Sequence, residues 1–228
     1  MFTTSAGVHA TPLAEFAVFG VLAGAKRLPW LLGMQRAKQW GPREPLGLLG
    51  AAPGLVVGLG AIGRLTASKL TALGCRVVGV HRREVEADVE SIVPVERFAE
   101  AASEADAIVL ALPGTEQTRG MLSAEVLASV KPGATVVNVG RGTTVDEPAL
   151  IEALQDGRVG LAVLDVTAVE PLPEESPLWE LPNVVLAPHT AAISPHEPRL
   201  IAELFAENAR RFLEGAPLLN VVNTHEFY

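Results

Sequence analysis

A chain of 228 residues has room for one large domain, or one and a half small ones. Hydrophobic residues make up 49% but aromatics only 5%, so the core has to come from Val, Leu, Ala and Ile. A formal charge of −8 and a pI near 5.2 argue against a nucleic-acid or anionic-membrane surface, and the lone Cys75 excludes an intramolecular disulfide or a cysteine-based zinc site.

Met1 is not followed by a basic segment. The apolar stretch 16–25 is too short to span a bilayer and is flanked by Glu15, Lys26 and Arg27. These features predict a cytoplasmic protein with no membrane partner. Thr11-Pro12 has the look of a helix start, with proline in the first turn. Glutamate comes at 15 rather than 14, so a strict capping box is absent. The pattern predicts one long helix from Pro12 to about Gln39, stopped by Gly41-Pro42-Arg43.

From 55 to 187, β-rich runs alternate with helical patterns. Strands are expected at 55–57, 76–80, 107–112, 135–139, 161–164 and 184–187. All are continuous apolar runs, as parallel strands covered on both faces require. Cys75 opens the second run and reads as a buried small residue. Ile62, Leu65, Leu70 and Leu73 fall near one face of the first intervening helix. Another helix is expected from Asp146 to Gln155, with Gly157 as its stop. A last one covers about 198–214, ended by Gly215 and Pro217. Six strands with helical crossovers give an α/β, doubly wound parallel sheet.

Gly58-x-Gly60-x-x-Gly63 sits between the first expected strand and its helix. Gly58 permits a tight turn, Gly60 lets backbone approach a pyrophosphate, and Gly63 allows close helix–strand packing. The helix start, at Ala61 and Ile62, offers free N–H groups and partial positive charge. The alternative is a glycine-rich turn in an unrelated α/β fold. About 20 residues on, an acid would hold the ribose hydroxyls of NAD. The second strand instead ends in His81-Arg82-Arg83. Arginines suit a 2′-phosphate, so the reading leans to NADP over NAD; solvated loop charges at a site that accepts NAD remain the alternative.

Further stretches complete an ordered set: 112–120 (LPGTEQTRG), 138–147 (NVGRGTTVDE), Leu164-Asp165-Val166, Glu170-Pro171-Leu172-Pro173, Ser176-Pro177-Leu178-Trp179 and Ala187-Pro188-His189-Thr190-Ala191. With the glycine fingerprint, they make the chain resemble the D-isomer-specific 2-hydroxyacid dehydrogenases over about Ser5 to Asn223. The resemblance implies a Rossmann-type NAD(P)-binding domain. It also implies that Arg141 grips the substrate carboxylate and that His189 is the general acid/base. Glu170 would orient the imidazole and favour its charged form. Asp165 would contact the nicotinamide carboxamide. Leu112, Pro113, Thr118, Val139 and Gly140 would line the cofactor cleft. Taken singly, Arg141 could cap a loop, Glu170 could be a surface acid and His189 a loop histidine. Their common place after strand C-termini argues for function. His9, His81, His196 and His225 lack that context and are assigned no catalytic role, and no clustered ligands suggest a metal.

Members of the family normally open with a substrate-binding lobe of roughly a hundred residues, an ordinary domain size. The resemblance divides this chain into a hinge remnant of that lobe (1–10), the dinucleotide-binding domain (11–193) and a C-terminal helix and tail returning to the lobe (194–228). A truncated enzyme, a genuine short form and a lobe supplied by another chain all remain open. The first and last helices are expected to expose apolar faces, which drive association, and a homodimer is the expected partner state. The leading expectation is an NAD(P)-dependent oxidoreductase acting between a small 2-keto acid and a D-2-hydroxy acid. The alternative is a non-catalytic NAD(P)-binding interaction module. A formate dehydrogenase is disfavoured, because that branch is expected to pair its histidine with glutamine where Glu170 stands.

Overall fold

The computed structural model describes residues 2–222. Asn223, His225 and the rest of the tail to 228 lie outside the described residues. Seven strands form one sheet: β1 (Pro53–Val57), β2 (Arg76–Val80), β3 (Ser91–Val93), β4 (Ala107–Leu110), β5 (Ala134–Asn138), β6 (Val159–Leu164) and β7 (Val184–Leu186). Their order is β3-β2-β1-β4-β5-β6-β7, every pair parallel. The chain reverses direction across the sheet between β1 and β4, which opens a crevice at their C-terminal ends.

Seven helices join and cover these strands: α1 (Ala10–Ala25), α2 (Leu28–Arg36), α3 (Ala61–Ala72), α4 (Phe98–Glu104), α5 (Ala124–Ser129), α6 (Glu147–Gln155) and α7 (Glu197–Leu213). The apolar runs are explained by the two faces. Leu55 and Val57 pack with Phe98 of α4, Leu127 of α5 and Leu150 of α6. Val56, one residue away and so on the other face, packs with Ala17 of α1 and Leu70 of α3. Cys75 is buried in that second cluster, and burial pushes its thiol up from its ordinary value.

The structure corrects four expectations. A seventh strand, β3, adds itself to the sheet edge beside β2. The long first helix is two helices, bent by 64°. Pro29 has no N–H to give Ala25, and its ring would strike that carbonyl. The chain breaks at Arg27 in the left-handed region (φ 51°), and the Ala25 carbonyl instead accepts from Gly47 N–H at 2.8 Å. The helix therefore ends well before Gly41-Pro42. Third, α3 buries Gly63, Thr66, Ala67 and Leu70, while Leu73 is exposed.

Fourth, the apolar face expected to be bare is so only in part: α1 covers most of its own and leaves Phe19 exposed, whereas α2 buries no residue and exposes Leu31 and Leu32. α1 lies across β5, with Ala14 and Ala17 fully buried. Close approach is possible because a Cβ on Gly20 would sit 2.7 Å from Val137 Cγ2, and one on Gly24 only 1.9 Å from Thr135 Oγ1. The last helix does expose apolar side chains: Phe205, Phe212 and Leu213 are all more than 70% exposed. No single helix among the described residues is long and apolar enough to cross a membrane.

The two ends of the described chain meet. Thr3 bridges Val221 in antiparallel fashion, Thr4 N–H donates to Asn220 O at 3.0 Å, and Asn220 Nδ2 donates to Ala6 O at 2.8 Å. This pins residues 3–6 beside the C-terminal ends of the sheet strands.

Candidate active site

The glycine loop follows β1 and opens α3. Gly58 has φ +92°, and a Cβ there would lie 2.7 Å from Ala111 O. At Gly63 a Cβ would lie 1.8 Å from Gly58 O, so α3 sits on the turn only because the side chain is absent. At Gly60 a Cβ would meet nothing within 4 Å. That space lies over the first N–H groups of a 12-residue helix, which have no partner inside it. Open backbone beside free donors is what a pyrophosphate needs, so the residues fit the nucleotide.

A depression of about 370 Å³ next to this loop is lined by Gly58, Gly60, His81, Arg82, Pro113 and Thr118, among others. His81 is tied locally, its Nδ1 meeting Arg83 O at 2.9 Å and Arg83 N at 3.2 Å. Arg83 itself lines neither this depression nor its neighbour. Glu96 lines it too, so the pocket carries an acid as well as bases. Thr118 braces its own loop: its hydroxyl donates to Pro113 O at 2.6 Å and accepts from Thr115 N–H at 2.9 Å.

A second depression of about 530 Å³ adjoins the first along Ala111, Leu112 and Pro113. It holds Ile62, Val139, Gly140, Arg141, Asp165 and His189. Ala61 and Gly63 line neither depression. Arg141 leaves the sheet after β5 on a tightly held turn. Asn138 is 99% buried; its Oδ1 accepts from Gly140 N–H and its Nδ2 donates to Arg141 O, both at 3.0 Å. The Thr144 hydroxyl donates to the same carbonyl at 2.7 Å. Arg141 Nη1 donates to Gly140 O at 2.7 Å, yet the residue as a whole is exposed.

His189 follows β7 in the left-handed region, φ 54°. A non-glycine residue there costs about 1–2 kcal/mol, and the surroundings hold it. His189 N–H donates to Asp165 O at 2.9 Å, and Thr190 and Ala191 N–H both donate to Asp165 Oδ1 at 2.9 Å. The buried carboxylate of Asp165 thus fixes the turn that presents the imidazole. His189 Nδ1 lies 2.7 Å from Glu170 Oε2. Burial alone would push the Glu170 carboxyl up. Hydrogen bonds from His189 and Thr167 N–H, with the charges of His189 and Arg141, outweigh it and hold the group below its ordinary value. With Nδ1 engaged, Nε2 is the nitrogen left for proton transfer.

Four residues of this site carry no motif signal that singled them out. Asn138 anchors the Arg141 turn. Glu147, at the start of α6, accepts from Ala168 N–H at 2.8 Å and so steadies the loop that carries Glu170. His9 and Glu197 pair across the cleft wall, Nε2 to Oε1 at 2.8 Å. Each lies far in sequence from its partner or acts on backbone, which spacing does not display.

The family model described as D-isomer specific 2-hydroxyacid dehydrogenase, NAD binding domain, matches residues 18–191. A glyoxylate reductase of Korarchaeum cryptofilum is 37% identical over 232 residues, covering 97% of this chain and 68% of that protein. Among solved structures, a D-isomer specific 2-hydroxyacid dehydrogenase from Xanthobacter autotrophicus Py2, in complex with NADPH and MES, is 37% identical with a TM-score of 0.88. It covers 96% of this chain and 90% of that one. An NADPH-dependent glyoxylate/hydroxypyruvate reductase from Sinorhizobium meliloti, in complex with NADP and sulfate, is 28% identical with a TM-score of 0.89. That match covers 96% of this chain and 70% of the other.

Proposed function

The chain belongs to the D-isomer specific 2-hydroxyacid dehydrogenase family, and on that premise we propose that it interconverts a small 2-keto acid and a D-2-hydroxy acid with NAD(P). The observation that carries this reading is the His189–Glu170 pair, at 2.7 Å, in contact with the cleft that holds Arg141. Bound NAD(P) supplies or accepts the hydride at substrate carbon 2. Arg141 pairs its guanidinium with the substrate carboxylate and polarises the keto oxygen. His189 passes a proton from Nε2 to that oxygen, or takes it back in the reverse direction. Glu170 orients the ring and balances its charge. Asp165, besides fixing the His189 turn, faces the nicotinamide end of the cleft. Gly58, Gly60 and the start of α3 hold the pyrophosphate.

NADP is the favoured cofactor. Support comes from His81 and Arg82 lining the β2 side of the cleft, and from the Xanthobacter and Sinorhizobium relatives, solved with NADPH and NADP. A homodimer is the favoured assembly, because Phe205, Phe212 and Leu213 leave an apolar surface on α7. Light scattering at micromolar concentration should give twice the 24.0 kDa chain mass; a monomer contradicts it.

Calorimetric titration with NADPH and NADH, followed by cofactor oxidation with glyoxylate, hydroxypyruvate and pyruvate, tests the central reading. Binding with turnover supports it. Binding without turnover on all three acids reduces the chain to a nucleotide-binding module. Failure to bind either cofactor removes both readings.

A further inference from the structure

The loop that carries Glu170 rests on the turn that carries Arg141, and a single peptide unit makes the contact. A Cβ on Gly142 would lie 1.8 Å from Thr167 O and 2.6 Å from Ala168 N, so the Arg141 turn reaches the Thr167–Ala168 peptide only because residue 142 has no side chain. The same peptide is gripped from α6, where Ala168 N–H donates to Glu147 Oε2 at 2.8 Å. The neighbouring N–H, of Thr167, donates to Glu170 Oε1 at 3.1 Å, and Glu170 Oε2 meets His189 Nδ1 at 2.7 Å. We propose that Gly142 and Glu147 form a clamp that fixes the Glu170–His189 pair relative to Arg141, and that Glu147 is a positioning residue for proton transfer at His189. This rests on the oxidoreductase reading of the same site.

The clamp is firm on its own side. Leu150, Ala153 and Leu154 of α6 are buried. The Arg141 turn is pinned to the chain in front of α5, where Gly120 N–H donates to Thr143 O at 2.8 Å and Leu122 N–H to Thr144 O at 3.0 Å. The gripped loop is the softer partner. Ala168, Val169, Glu170 and Pro171 are all exposed, and the Thr167 hydroxyl turns back on the loop itself, donating to Val169 O at 2.8 Å.

A first-turn acid can also serve simply by facing the positive end of its helix. That end of α6 is already capped by Asp146, which accepts from Ala149 N–H at 3.2 Å. Glu147 reaches instead to a residue 21 positions along the chain. Burial pushes the Glu170 carboxyl up, and the hydrogen bonds from His189 and Thr167 N–H help to overcome it. A slack loop weakens both bonds, so the Glu170 midpoint reports on the clamp independently of turnover.

The test uses the full chain and three readouts: glyoxylate turnover per NADPH-binding site, NADPH affinity, and the Glu170 midpoint in a carbon NMR titration. Glu147→Met keeps the length of the side chain and loses the carboxylate acceptor. It should lower kcat at least about tenfold with the glyoxylate KM within about threefold of wild type, as a misplaced proton donor does and lost binding does not. NADPH affinity should be unchanged, and the Glu170 midpoint should rise. Glu147→Gln loses the charge but keeps an acceptor, and should restore kcat to within about threefold of wild type. Glu147→Ala serves if Glu147→Met does not fold. Wild-type kcat in Glu147→Met overturns the proposal. So does an unmoved Glu170 midpoint, which marks Glu147 as a support for α6 alone. A Glu147→Gln as slow as Glu147→Met overturns it too, because the bond to Ala168 is then not the cause. Wild type without turnover counts against the oxidoreductase reading, and the Glu170 midpoint then decides the clamp by itself.

Discussion

Gly60 and Gly63 stand three residues apart and answer to opposite constraints. A methyl group on Gly63 collides with the Gly58 carbonyl, which is backbone and cannot step aside. Gly63→Ala gains at most about 1 kcal/mol of helix propensity against an overpacking cost of about 1–3 kcal/mol. The variant should unfold at lower denaturant; unchanged stability would contradict this packing. Gly60→Ala meets no protein atom. It should keep stability within about 1 kcal/mol yet lose NADPH affinity at least about tenfold, because the methyl group stands where the pyrophosphate approaches. Equal NADPH affinity in that variant would place the phosphates elsewhere. At Glu170 the pairing shows in titration. Its carboxyl is held low, so the pair's contribution is full above the ordinary value of 4.5 and fades as pH falls through the lowered folded value. Replacing His189 by alanine should raise the Glu170 midpoint in a carbon NMR titration, and an unmoved midpoint would mean that His189 does not bear on it. The glycines and the Arg141, Glu170 and His189 positions were legible because each falls in a short run with a fixed place after a strand. Asn138, Glu147 and His9 were not, because their work is done on backbone groups or on a partner up to 188 residues away.

Elements were legible where burial on both faces left an unbroken apolar run. β1, β2, β4, β5 and β6 all read that way, to within two residues at their ends. β3 did not, since it opens on the exposed, polar Ser91 and leaves only Ile92 and Val93 as an apolar run, whereas the equally short β7 at the other edge is apolar throughout. The break between α1 and α2 was hidden by an apolar pattern that continues across it, although Pro29 carries the physical reason. α1 shows how small residues set a distance. Its glycines let it lie on β5, with Gly24 over Thr135. Gly24→Ala should therefore cost about 1–3 kcal/mol despite the better helix propensity of alanine. The penalty should shrink when Thr135→Ala removes the obstructing hydroxyl and methyl. Purely additive effects in that double-mutant cycle would contradict the contact.

At the scale of the molecule, a parallel sheet places three loops from β5, β6 and β7 beside the crevice that opens at β1 and β4. Arg141, Glu170 and His189 come from those three loops, so the sheet order brings together residues separated by 48 positions of sequence. Ligand linkage follows: NADPH at 100 times its dissociation constant should stabilise the fold by about 2.7 kcal/mol, visible as a raised unfolding midpoint. The measurement that bears most directly on the account is NADPH oxidation by glyoxylate, with wild type and His189→Gln side by side and NADPH affinity measured for both. The account predicts equal NADPH affinity and a turnover at least about 100-fold lower in the variant. Turnover in His189→Gln at the wild-type rate would contradict it.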